Sequence, residues 1–124
     1  MSMILIVEDN EKNLKLVRDV LQFKGHQTIE AMTGTEGLRL ARESRPDLVL
    51  MDIQLPDIDG ITALARLRAD PQTKNMPVVA VSASVMPDEQ QKIAASGFDA
   101  FITKPLNVKN FLEIVERFVG KAKE

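Results

Sequence analysis

The stretch DLVLMDIQLP (47–56) decides how the chain folds. Its centre, LVLM (48–51), is apolar at every position, and the run ends on a carboxylate, Asp52. A strand that is apolar throughout, rather than at alternate positions, belongs in a parallel sheet with helices over both faces. Near the N-terminus ILIVEDN (4–10) repeats the arrangement, an apolar strand running into Glu8 and Asp9. Both central strands therefore carry acids at their carboxyl ends.

Working outward, strand and helix patterns alternate along the whole chain. MILIVE (3–8) is the first strand. Leu14, Val17 and Leu21 form a helical stripe, flanked by Leu16, Val20 and Phe23, that stops at Gly25. QTIEA (27–31) reads as a weaker strand, and Thr33-Gly34-Thr35-Glu36 has the spacing of a capping box opening a helix with Leu38, Leu40 and Ala41. After LVLMD (48–52), a helix begins past Asp59-Gly60, with Ile61, Leu64, Ala65 and Leu67 expected inward, and ends near Asp70-Pro71. PVVAVSA (77–83) is the fourth strand, and Pro87-Asp88-Glu89 places proline and acids in the first turn of a helix running to Gly97. AFIT (100–103) is the fifth strand. Asn107 caps a last helix with Phe111, Leu112, Val115, Phe118 and Val119 inward, and KAKE (121–124) frays from its end. This is βαβαβαβαβα, an α/β chain expected to form one doubly wound domain over residues 1–124. It contains no linker, internal repeat or low-complexity segment.

The totals narrow the function classes. At 124 residues the chain can bury a core without metal or disulfide staples. Sixteen basic and eighteen acidic residues give a net charge of −2, which disfavours direct DNA binding. Without cysteine there is no disulfide framework and no thiol chemistry, consistent with a reducing cytoplasm. The N-terminus has no signal-peptide pattern, and no apolar run approaches the roughly 20 residues that span a bilayer. A cytoplasmic protein with no membrane partner is the expectation.

In open α/β sheets ligands bind beyond the carboxyl ends of the strands, where strand order reverses. With order 2-1-3-4-5, the first and third strands flank that point, so Glu8, Asp9 and Asp52 converge on one crevice. Three carboxylates gathered there repel one another and raise at least one pKa unless a cation joins them. Mg²⁺ suits such a set, since it takes a few carboxylates, a backbone carbonyl and retained waters. Ser82 ends the fourth strand and Lys104 follows the fifth, which puts both on the same rim. A hydroxyl and an ammonium facing a metal–carboxylate cluster provide what phosphoryl transfer needs: neutralised oxygens, a hydrogen-bond donor and a carboxylate nucleophile.

With those residues in view, the chain resembles the receiver domains of bacterial two-component response regulators. The resemblance rests on ILIVEDN, PDLVLMDIQLPDIDG, PVVAVSA and FITKP, and it covers essentially the whole length. It implies a flavodoxin-like five-stranded parallel sheet and a phosphorylatable signalling module, without an output domain, that catalyses only its own phosphorylation and dephosphorylation. Asp52 would be the phospho-acceptor, served by a histidine kinase or histidine phosphotransfer protein. Asp9, Asp52 and, through water, Glu8 would hold Mg²⁺ together with the backbone carbonyl of Gln54. Lys104, Ser82 and the backbone amide of Ala83 would contact the phosphoryl group. Ser82 and Phe101 would be the switch pair, and Lys104–Pro105 a cis peptide. Phosphorylation would reshape the face formed by the fourth helix, fifth strand and fifth helix for a downstream protein. Gln54 and Ser84 occupy positions that tune phosphoryl lifetime in the family. Phe101 stands where a tyrosine is often found, so a contact through a phenol hydroxyl is ruled out.

Two other receiver readings and two unrelated ones compete with a stand-alone regulator. A hybrid-kinase receiver would look much the same. A degenerate receiver is disfavoured because all five site residues are present. A haloacid-dehalogenase-type phosphatase needs a general acid two residues after its nucleophile, where Gln54 cannot donate a proton. A flavodoxin-type FMN site needs a phosphate-binding loop where EDNEKN (8–13) would repel it. Of the remaining residues, His26 reads as a turn-surface histidine on the opposite rim. Asp57 and Asp59 read as turn and cap acids, Pro56 and Gly60 as loop-shaping residues, and Lys12, Lys15 and Arg18 as a solvated helix face.

Overall fold

A computed structural model of the chain describes residues 2–83 and 86–120. Ser84 and KAKE (121–124), named above for phosphoryl lifetime and helix fraying, lie outside the described residues. The elements are β1 (Met3–Val7), α1 (Glu11–Phe23), β2 (Gln27–Ala31), α2 (Gly34–Ser44), β3 (Leu48–Asp52), α3 (Gly60–Ala69), β4 (Val78–Ser82), α4 (Pro87–Ala95), β5 (Ala100–Thr103) and α5 (Val108–Val119). All pairings are parallel and the order is β2-β1-β3-β4-β5. Order reverses between β1 and β3, which are direct neighbours.

The apolar strands are apolar for a geometric reason. Successive side chains point to opposite faces of a sheet. Ile4, Ile6, Leu48, Leu50, Val79, Val81 and Ile102 face α1 and α5, where Leu14, Val17, Leu21, Phe111 and Val115 complete one core. Leu5, Val7, Val49, Met51 and Val78 face the other way, toward Ala41 of α2 and Ala63, Leu64 and Leu67 of α3. β3 and β4 are buried at every position, whereas edge strand β2 is buried only at Ala31. That explains why QTIEA is the weakest strand pattern.

Helix starts follow local chemistry. Asn10, Thr33, Asp59 and Asn107 each accept a hydrogen bond from the backbone N–H three residues on. α4 opens instead with Pro87 and two acids, without a side-chain cap bond. Gly25 and Gly97 follow α1 and α4 at φ of 90° and 104°, where side chains are disfavoured. Gly60 answers a different need. A Cβ there would lie 2.6 Å from the carbonyl oxygen of Asp52 and 2.9 Å from Cα of Ile53, so only glycine lets α3 start against the exit of β3. Its N–H donates to the Ile53 carbonyl at 2.8 Å.

Three expectations need correction. His26 is not on the surface of its turn; it is 3 % exposed. The turn is tied down by its backbone, the His26 N–H donating to the Leu21 carbonyl and the Gln27 N–H to that of Ser2 in the β1 lead-in. Neither ring nitrogen has a hydrogen-bond partner, and burial holds the imidazole pKa below its ordinary value against a small opposing pull from Glu116. Ala65 faces solvent, and Ala63 takes its place inward. Counting back three and four residues from Leu67 gives Leu64 and Ala63, so Ala65 falls off the stripe. Finally, α4 ends at Ala95 rather than at Gly97.

Candidate functional site

Register brings the acids together. Val7 pairs with Met51 and Asp52 pairs with Val81, so Glu8, one residue past β1, stands beside Asp52 at the end of β3. Ser82 pairs with Thr103, and the N–H of Lys104 donates to the Ser82 carbonyl at 2.9 Å. Four neighbouring strand ends thus deliver Glu8, Asp9, Asp52, Ser82, Ala83 and Lys104 to one rim. Glu8, Asp52 and Ser82 are buried, Lys104 is half-buried, and Asp9 and Ala83 are exposed. A crevice of about 500 Å³ opens over all of these but Ser82, walled also by Asn10, Asn13, Gln54, Leu55 and Pro56.

Lys104 is the centre of this arrangement. Its Nζ lies 2.8 Å from Glu8 Oε1 and 2.9 Å from Asp52 Oδ2. Asp52 Oδ1 accepts from the backbone N–H of Gln54 at 2.9 Å, and Glu8 Oε2 accepts from that of Asn10 at 3.1 Å. Each carboxylate is therefore held by one ammonium bond and one backbone bond. The ammonium is disfavoured by its burial, but its bonds to Glu8 and Asp52 outweigh this and raise its pKa. The Glu8 pKa rises as well, here favouring the neutral form: desolvation, followed by its hydrogen bond to Asp52, pushes it up to about 7 despite Lys104. One ammonium does not fully offset two buried carboxylates.

Ligand oxygens of Glu8, Asp9 and Asp52 lie within 4.8 Å of one another, among the described residues the one such acidic group. Opposite oxygens around Mg²⁺ sit about 4 Å apart, twice its usual 2.0–2.1 Å bond, so small adjustments suffice for a shared ion. The donor set, all hard oxygen with excess negative charge, fits that cation.

The pKa of Glu8 predicts a pH dependence. Folded Glu8 holds a proton up to about pH 7, whereas the unfolded chain releases it near 4.5. Between those values the fold binds more protons, so this group's contribution rises as pH falls through 7 and is complete below 4.5. In chelator, the urea midpoint of Glu8→Gln is expected to exceed wild type at pH 8 and converge with it by pH 5. An equal gap at both values would refute the assignment.

The remaining positions divide. Phe101 is half-buried on β5, and the Lys104–Pro105 peptide is cis. Asp59 caps α3. Asp57 is no part of the carboxylate cluster: it accepts from the N–H groups of Gly34 at 2.7 Å and Thr35 at 2.8 Å and from the Thr35 hydroxyl. These bonds hold its carboxyl far below the usual range, and they cap α2 from the loop after β3. Lys15 pairs with Asp19 on α1 and Arg18 with Glu30 of β2, and Lys12 is exposed on the same helix. Asn10, whose N–H steadies Glu8 while its side chain caps α1, escaped the sequence reading; its place immediately before a helical stripe was the available signal.

Known proteins identify the family of the chain. The chain is 44% identical over 119 residues to the polar-differentiation response regulator DivK of Brucella anthropi, covering 96% of this chain and 97% of that one. The corresponding protein of Brucella ovis is 43% identical over the same length. Among solved structures, the receiver domain of a Pseudomonas aeruginosa sensor histidine kinase superposes with a TM-score of 0.89 at 28% identity, covering 97% and 98% of the two chains. That structure carries a magnesium ion in its active-site cleft. A chemotaxis response regulator of Vibrio cholerae gives a TM-score of 0.88 at 26% identity, covering 95% and 98%. Residues 4–116 match the response regulator receiver domain, and the chain belongs to that family.

Proposed function

We propose that this protein is a single-domain response regulator that accepts a phosphoryl group onto Asp52 from a phosphohistidine donor, a histidine kinase or histidine phosphotransfer protein. The observation that carries the reading is Lys104 bridging Glu8 and Asp52 at 2.8 and 2.9 Å at the floor of an open crevice. An Asp52 carboxylate oxygen attacks phosphorus, the new P–O bond forms as the donor's P–N bond breaks, and the imidazole leaves with the bonding electrons. Lys104 trades an Asp52 oxygen for a phosphoryl oxygen, keeping an ammonium against the transferred charge. The Ser82 hydroxyl and the Ala83 N–H, at the end of β4, supply further donors. Asp9, Asp52, the Gln54 carbonyl and, through water, Glu8 would hold Mg²⁺, which would supply charge neutralisation for the phosphoryl oxygens.

The transferred group carries a charge of about −1.5 to −2 in place of the single carboxylate charge, and sets strong acceptor oxygens beside Ser82. Movement of Ser82 toward them would clear space for half-buried Phe101 to turn inward. The α4–β5–α5 face then changes shape for a downstream protein, or the group passes onward to another histidine. In this reading the chain acts on no separate substrate and catalyses only its own phosphorylation and dephosphorylation. No helix among the described residues is long and apolar enough to cross a membrane. The balanced charge supports protein partners rather than DNA. DivK relatives aligned over 97% of their own length favour a stand-alone regulator over a hybrid-kinase receiver.

Phosphotransfer from a radiolabelled histidine phosphotransfer domain tests this. Label should move to the wild-type chain as a hydroxylamine-labile acyl phosphate, and Asp52→Asn should receive none. Equal labelling of the variant would exclude Asp52 as the acceptor.

A further inference from the structure

Away from the phosphorylation crevice, a second cavity of about 390 Å³ lies between α2 and α3. This is within the size range of small-molecule sites, about 300–1,000 Å³. Its lining sets three guanidinium groups, Arg39, Arg42 and Arg66, against one carboxylate, Asp70. Two of the arginines are steadied in place. Arg42 Nε lies 3.2 Å from Asp70 Oδ2, and Arg39 Nη1 lies 3.0 Å from Glu43 Oε1. Each such contact uses one N–H of its guanidinium and leaves the others available. Arg66, exposed on α3, has no ion pair among the described residues. Positive charge therefore exceeds negative inside the cavity.

The walls are braced. Thr35, in the lining, is tied through its N–H and hydroxyl to Asp57. Asp70 also accepts the Gln72 N–H at 2.9 Å, and the buried hydroxyl of Thr73 donates to the Leu67 carbonyl at 2.7 Å. Leu67 and half-buried Leu38 supply an apolar floor.

We infer that this α2–α3 groove binds a nucleoside diphosphate. Arginine forks match phosphate oxygens in pairs, and guanidinium planes stack on aromatic rings. A surplus of cations calls for a ligand with more than one negative charge. The leucine floor suits a flat base, and the single carboxylate, Asp70, suits a hydroxyl or amine on it. The inference is independent of the phosphorylation reading, since none of these residues lines that crevice.

Amide-resolved NMR of the full chain, with chelator and without phosphate buffer, tests it using ADP and pyrophosphate as probes. ADP should give saturable shifts centred on residues 35–42 and 66–73, and bind more tightly than pyrophosphate. Arg66→Gln should weaken it by about tenfold or more, the usual cost of a charged hydrogen bond, with the rest of the spectrum unchanged. Arg39→Gln combined with Arg66→Gln should remove saturation. Absence of saturable shifts, shifts centred on residues 82–104, or equal affinity in wild type and both variants would overturn the proposal. Equal affinity for ADP and pyrophosphate would overturn the nucleoside part.

Discussion

Lys104→Met is expected to slow phosphorylation by a small-molecule phosphodonor by about 10²- to 10³-fold, the usual loss when a transition-state donor is removed. The ammonium is placed by β5, whose register sets Thr103 against Ser82, so the residue after it reaches over Asp52. Methionine keeps most of the apolar stem and deletes the charge. The same change leaves Glu8 and Asp52 facing each other in a buried site without their cation, so the variant should also lose stability in chelator. Added Mg²⁺ should restore much of that stability but not the rate, because neutralising the resting acids and reaching the transferred group are separate tasks. Intact-mass time courses and urea melts, each with and without Mg²⁺, separate the two effects. A variant phosphorylated at wild-type rate would show that Lys104 serves only the resting structure.

Phe111→Ala is expected to cost about 3–5 kcal/mol. Phe111 is fully buried and sits in the core formed by α1, α5 and one face of the sheet, among Leu50, Val79 and Ile102. A domain of this size has a total stability of only about 5–15 kcal/mol, so the variant should unfold at much lower urea. The folded fraction should still bind beryllofluoride with Mg²⁺, since Phe111 lies outside the crevice. A loss under about 1 kcal/mol would mean that the core collapses around the missing ring more completely than cores usually do.

The sequence showed most of what surface-to-core patterning controls. β1, β3 and β4 are unbroken apolar runs because helices cover both their faces, and Asp52 and Glu8 stand out because acids interrupt those runs. Asn107, Thr33 and Asp59 were readable as caps because capping acts over three residues. Contacts made across the fold were less legible. His26 follows a helix-ending glycine and looks like a surface turn, yet the turn is bonded back to Leu21 and Ser2 and the ring is buried. Asp57 looks like a turn acid, but its partners, Gly34 and Thr35, lie more than twenty residues earlier. Phe23 reads as flanking the α1 stripe, but it is 86 % exposed, two residues past the last buried position, Leu21. Ala65 misled for a simpler reason: a small apolar residue fits either face of a helix. The arginine groove had no sequence signature, because its residues come from two helices brought together only by packing.

The most direct test of the central claim is intact mass after incubation with acetyl phosphate and Mg²⁺, alongside Asp52→Asn and a chelator control. Wild type is predicted to gain one phosphoryl group that needs both Asp52 and the metal, with beryllofluoride capturing the site should the acyl phosphate turn over quickly. A gain that persists in Asp52→Asn, or silence with both acetyl phosphate and beryllofluoride, would contradict it.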